Sequence, residues 1–139
     1  MFLQNEFGKT MDILHRTMDV SMIRQQVLAD NIANADTPNF KRSTVNFEAE
    51  LKRALDSEKS RPRVKTTVTD PRHITNDRVR NYRNVEPRRV LDYLSTTDNN
   101  GNNVDIEQES MRILQNQLRY NLMTRSVSDH FTRINMVLR

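Results

Sequence analysis

Acid–base or metal chemistry in this 139-residue chain would have to begin from three histidines, His15, His73 and His130. Each lies in a different part of the chain, and none has His, Asp or Glu neighbours at the spacings that build a metal site. Asp70 and His73 are close in sequence, and a local turn contact is the simpler reading of that pair. With no cysteine there is no thiolate nucleophile, no disulfide framework and no thiolate zinc site. The two glycines, Gly8 and Gly101, are too far apart to make a loop that cradles phosphate. No residues converge on catalysis, so the chain is not expected to be an enzyme or to carry a cofactor or metal.

Two carboxamides remain of chemical interest. Asn31 and Asn34 stand near the end of a long amphipathic stretch, where the last carbonyls of a helix lack partners. Side-chain amides there can donate to those carbonyls, as ordinary capping within one chain, or can also fix contacts between subunits. Both readings stay open on the sequence alone.

Charge is the other feature. The net +4 is uneven: Arg61, Arg63, Lys65, Arg72, Arg78, Arg80, Arg83, Arg88 and Arg89 face only Asp70, Asp77 and Glu86 in the same stretch. Such a segment can contact phosphates, which makes a basic nucleic-acid-binding protein an alternative function. Its one aromatic residue, Tyr82, offers little for base stacking, and no recognition motif accompanies it. The expectation is a solvated surface that meets neighbouring subunits, with no nucleic acid bound.

Apolar residues make up 35% of the chain and charged residues 29%. So little apolar material leaves few reserves for a free-standing core, and the remainder must be buried against neighbours or stay loose. No stretch approaches the roughly 20 apolar residues of a membrane span, so no direct membrane insertion is expected. The start, MFLQNEFGKTMDILHR, lacks a basic segment followed by an apolar block, which predicts export, if any, without a cleaved signal peptide.

The elements that must position these residues fall into three zones: 1–40, 41–103 and 104–139. The first reads as a long helix with Thr10 as its cap and Asp12 in the first turn. Met11, Leu14, Met18, Leu28, Ile32 and Ala35 form one stripe, and Ile13, Val20 and Val27 repeat every seven residues beside it. Pro38 ends the helix near Ala35, and Asn39 tolerates the left-handed backbone that the following turn favours. Phe47, Leu51 and Leu55 predict a short helix capped by Asn46. Val64–Val68 and Val90–Leu94 predict short strands, and Ser95–Asn103 a loop.

The third zone predicts a helix from Asp105 to Arg139, with Asp105 and Gln108 at capping-box spacing. Ile106, Ile113, Tyr120, Val127 and Ile134 recur every seven residues. Asn116, Met123, His130 and Val137 complete an a/d seam that only Asn116 and His130 interrupt. Leu114, Leu118, Leu122, Phe131 and Leu138 widen the apolar surface beyond one seam. The fold class is therefore mainly α, with long terminal helices pairing as a coiled coil around a small irregular or β middle segment. A lone helix pair would leave its outer stripes wet, and that predicts assembly.

Ala29-Asp30-Asn31-Ile32-Ala33-Asn34-Ala35-Asp36-Thr37-Pro38-Asn39-Phe40 resembles the signature of the flagellar axial proteins, the rod and hook families. Gly101-Asn102-Asn103-Val104-Asp105, with Glu109 and Asn116-Gln117-Leu118-Arg119-Tyr120 beyond it, resembles the C-terminal motif of the same group. Thr69-Asp70-Pro71-Arg72-His73-Ile74 is similar to a middle segment of its short proximal rod members. Asn39 departs from the usual glycine of the signature. The resemblance implies a structural subunit of the bacterial flagellar basal body that assembles by coiled-coil packing of its terminal helices. It implies as partners other rod proteins, the ring and export apparatus, and further copies, and a place in the periplasmic space reached by type III export. Asn31, Ile32, Asn34, Thr37, Pro38, Asn39 and Phe40 would serve assembly, and Ile113, Tyr120, Met123, Val127, Ile134 and Val137 the seam. A soluble coiled-coil adaptor would share the heptads but has no reason to carry the signature.

Overall fold

The structure, a computed structural model, describes residues 5–59, 69–70, 72–73, 79–95 and 102–138. In chain order the elements are α1 (Glu6–Ala33), β1 (Ser43–Asn46), α2 (Glu48–Lys59), a single 3-10 turn (Tyr82–Asn84), β2 (Arg88–Leu91) and α3 (Ile106–Val137). β1 and β2 form a two-stranded antiparallel sheet. The strand expected at Val64–Val68 and residues 96–101 of the expected loop lie outside the described residues. Residues close into two compact units, Met1–Val45 with Arg89–Arg139, and Asn46–Arg88.

α1 starts a turn earlier than Thr10. Asn5 is its cap residue by backbone angle, and Glu6 supplies the anion of the first turn. Thr10 instead lies inside the helix and donates its hydroxyl to Glu6 O, as Thr17 does to Ile13 O. At the other end Asn34 closes the helix, with its backbone N–H on Asp30 O and that of Ala35 on Ile32 O. The chain then turns through Thr37-Pro38-Asn39-Phe40, and Phe40 N donates to Thr37 O at 3.2 Å. Asn39 has φ of 60°, the positive value that the third position of a type II turn requires, with proline in its usual place before it.

α3 begins as its sequence suggests, with the Asp105 carboxylate accepting Gln108 N at 3.0 Å. The return half of a capping box is missing, because the Gln108 side chain accepts from Arg42 Nη1 instead. α1, about 42 Å long, and α3, about 48 Å, lie antiparallel. Asn31 meets Glu109, Ser21 meets Asn116, and the Phe7 ring stands edge-on to His130 at 5.6 Å.

The covered line of α3 runs through Glu109, Ile113, Asn116, Tyr120, Met123, Val127, His130 and Ile134, alternating four and three. Glu109 and Asn116 are its fully buried members; the others are half-buried. Ile106 and Val137, the ends of the expected seam, are exposed, Val137 by 85%. α1 begins opposite His130, and α3 runs past that point. On the opposite helix Val20, Ser21, Val27, Leu28 and Asn31 are buried.

The second unit has its own small core. Phe47, Leu51 and Ala54 are buried on one side of α2, with Tyr82 buried in the 3-10 turn. Phe47 O accepts Leu51 N at 2.9 Å, so Phe47 and not Asn46 opens α2; Asn46 is the last residue of β1. β1 falls in a stretch where the sequence pattern predicts no strand. Its partner β2 begins two residues before the expected Val90–Leu94 strand and overlaps it at Val90 and Leu91, and Leu94 lies past its end.

The left-handed Asn39 generates a clear expectation. Asn39→Gly should leave the urea midpoint unchanged or slightly raised, because glycine reaches this backbone without strain. Asn39→Val should cost about 1–3 kcal/mol, since a β-branched residue at positive φ is strained. Chemical denaturation of both variants measures the difference.

Candidate functional site

Asn31, on the last turn of α1, has no exposed surface and spends its whole amide group. Its Oδ1 accepts Ser43 N at 3.0 Å while its Nδ2 donates to Ser43 O at 2.8 Å. The carboxamide thus pairs with the outer edge of β1 as a neighbouring strand would. The second Nδ2 hydrogen donates to Glu109 Oε2 at 2.9 Å. One side chain therefore joins the end of α1, the start of β1 and the first turns of α3.

Glu109 is fully buried and ionisable, a costly combination unless it is well partnered. Arg112 Nη1 donates to its Oε1 at 2.7 Å, and Arg42 Nη1 stands 3.6 Å from the same oxygen. Arg42 continues outward to Asp92, with Nη2 on Oδ2 at 2.9 Å. The Ser95 hydroxyl and the Ser95 backbone N–H donate to Asp92 and hold its carboxyl below its ordinary value; burial opposes them, and Leu94 N–H and Arg42 assist. A depressed folded value means that Asp92 contributes stability above its unfolded titration range. The contribution is lost only as pH falls through the lowered value, so this arm stays charged in mild acid.

Two adjacent asparagines ahead of α3 complete the arrangement. Asn103 stands where the β1–β2 ladder would otherwise continue: Arg42 N donates to its Oδ1 at 2.7 Å, and its Nδ2 donates to Asp92 O at 2.6 Å. Asn102 Nδ2 donates to Ala35 O at 2.7 Å and Thr37 O at 2.9 Å, gripping the turn that follows α1. Both asparagines are buried, although their composition reads as loop. Farther along, Asn116 Nδ2 donates to Ser21 O at 2.8 Å and Gln25 Oε1 at 3.0 Å, which fixes the register of the two helices.

The structure places the signature residues in distinct settings. Asn31 is buried, Ile32, Asn34 and Phe40 are half-buried, and Thr37, Pro38 and Asn39 are exposed on the turn. Asn34 Nδ2 donates to Asp30 O at 2.8 Å, which is local capping. Asn31 acts within the chain, on Ser43 and Glu109, and its burial leaves nothing for a neighbouring subunit to touch. Ile113, Tyr120, Met123, Val127 and Ile134 line the helix seam; Val137 does not. Arg42 was missed; Asn102, Asn103 and Glu109 entered only through the motif of the resemblance, with no partners assigned to them. The signal that their types carry is composition unusual for their setting: amides and charges flanking the start of a helix.

Among the described residues no group of His, Cys, Asp or Glu could hold a metal ion, and no helix is long and apolar enough to cross a membrane. The site's chemistry is hydrogen bonding that shapes a helix pair. Met111, Leu114, Leu118 and Leu122 form a separate line on α3, 53–65% exposed, away from the seam.

Asn31→Ala should cost about 3 kcal/mol, because it strands a buried carboxylate oxygen and both backbone groups of Ser43. Asn31→Asp, nearly identical in shape, should cost more at neutral pH, since it sets a second carboxylate against Glu109 and cannot donate. Asn34→Ala should cost only about 1 kcal/mol. Urea unfolding of the three variants measures this ranking.

Residues 11–41, which hold α1 from Met11 onward and the following turn, match the family described as flagella basal body rod protein. Over 97% of this chain and 99% of the relative, the chain is 44% identical to the flagellar basal body rod protein FlgB of Borreliella burgdorferi. It is 44% identical, over the same shares, to FlgB of Borrelia hermsii. It is 33% identical to FlgB of Bacillus subtilis over 95% of each chain. With near-complete coverage on both sides, the chain belongs to the FlgB family of flagellar basal-body rod proteins.

Proposed function

We propose that the chain is a non-catalytic building block of the proximal rod that adds to the growing structure through the outer faces of its terminal helices. The observation that carries this reading is the exposed line Met111, Leu114, Leu118 and Leu122 on α3, joined by Met22 and Ile23 on α1. Apolar side chains spaced along two helix faces are the material of helix–helix packing, and water is a poor partner for them. In this reading residues 1–40 and 104–139 form the inner helical part, and 41–103 the part that faces neighbouring proteins.

The signature residues take two roles. Asn31, with Asn102, Asn103 and Glu109, acts inside the subunit to hold the helix pair in the shape that assembly needs. Ile32, Asn34, Thr37, Pro38, Asn39 and Phe40 set the path of the chain at the surface, where copies and other rod proteins meet it. The seam residues Ile113, Tyr120, Met123, Val127 and Ile134 hold the pair together, and Val137, exposed in the single chain, joins the outward surface. Ring and export components are further partners of this reading. So are a periplasmic position and export without a cleaved signal peptide.

Incorporation into basal bodies tests the proposal. Leu118→Glu should leave helix content and unfolding midpoint of the isolated protein near normal, because the residue is exposed. In cells it should abolish incorporation and motility, since the carboxylate would be buried at the new contact without a partner. Arg125→Ala should be almost silent. Normal motility with Leu118→Glu would remove α3's outer face from the assembly.

A further inference from the structure

A groove runs along one side of the helix pair, with Val27 and Leu28 of α1 and Ser43, Thr44 and Val45 of β1 along it. Arg24, Arg112 and Arg119 stand around it, and no carboxylate lines it among the described residues. Its strand edge is open in a defined way. Asp92 N donates to Arg42 O across the sheet, so alternate residues of β1 turn toward β2 and those between turn away. Ser43 turns away and is paired with Asn31. Val45, two residues on, turns its N–H and C=O in the same direction, into the side where the groove lies. Ser43 Oγ and Asn116 Oδ1, from two residues along the same groove, are buried without hydrogen-bond partners.

We propose that this groove binds an extended, carboxylate-bearing segment of another protein, which adds as a strand beside β1. The segment's backbone pairs with Val45, continuing the edge that Asn31 begins, and its acidic side chains reach Arg112 and Arg119. Arg112 gives one N–H to Glu109 and has others to offer, for a guanidinium carries five. Charge chooses the partner. An identical edge from a second copy would bring the same guanidinium groups against these, a repulsive pairing, whereas acidic residues at alternate positions complement them. This inference rests on the chain's being an assembly subunit only in its biological meaning, because the groove can be tested in solution.

The probe is a fluorescein-labelled hexapeptide of alternating valine and glutamate, titrated with the full chain, beside a valine–lysine counterpart and a short single-stranded oligonucleotide. The acidic peptide should bind, more weakly as salt is raised, and the lysine peptide should not. Arg119→Glu, a change at an exposed position, should weaken binding by about tenfold or more. Val45→Pro removes a backbone donor that takes no part in the β1–β2 ladder, so helix content should persist while binding falls. Equal binding of both peptides, no binding up to about millimolar protein, or indifference to Arg119→Glu would each overturn the proposal. Tight oligonucleotide binding lost in Arg119→Glu would also overturn it, by assigning the groove to phosphates. Incorporation of the unaltered chain into basal bodies tests the rod reading separately and stands or falls without the peptide result.

Discussion

The amide of Asn31 is the constraint on which the rest of the first unit depends. It stands on the last turn of α1, substitutes for a strand at the edge of β1, and offsets part of the cost of burying Glu109. These tasks need a group with both a donor and an acceptor face, in the plane of a peptide unit. A carboxamide has that shape, and neither aspartate nor leucine does. Because Glu109 is then held by Arg112 and approached by Arg42, the charge of the buried carboxylate is passed outward to the surface at Asp92. Burial of such a network favours one arrangement strongly over partial ones, since each missing bond strands a group in a low-dielectric interior.

This arrangement inverts the usual division between core and surface. The most deeply buried members of α3 are a glutamate and an asparagine, while seven of its large apolar residues stand more than half exposed. Polar groups inside specify which residues of α1 and α3 lie side by side; they add little net stability. Apolar groups outside face water in the single subunit. Under the proposed assembly such a subunit has its shape fixed from within and its apolar faces open to further packing.

Charge follows a similar division. The unit Asn46–Arg88 contains eleven basic and seven acidic residues, and the remainder eleven of each, so the whole net charge of +4 belongs to the smaller unit. Some of that charge is locally paired, as where Glu50 meets Arg53 and Arg80. The helix pair is neutral in sum yet carries a local cationic groove. Net charge and local charge therefore point to different surfaces, and only the second required the fold to be seen.

Periodicity alone determined much of this protein. The spacing of apolar residues is a local property, so the two long helices, their pairing and the exposed second stripe were all legible, as was the left-handed Asn39 after Pro38. The capping pair Asp105 and Gln108 was half legible: the carboxylate caps, but Gln108 was claimed by Arg42, sixty-six residues away. Short strands without alternation, such as Ser43–Asn46, gave no period to read. The roles of Asn102, Asn103 and Arg42 were invisible for a deeper reason. A polar side chain looks the same in sequence whether water or a distant backbone satisfies it, and only the tertiary structure decides which. Seam positions occupied by Asn116 and Glu109 show the consequence: one reads as an interruption and the other is not counted in the seam, yet antiparallel pairing brings Ser21 to the first and Asn31 to the second, and makes both the fixed points of the helix pair.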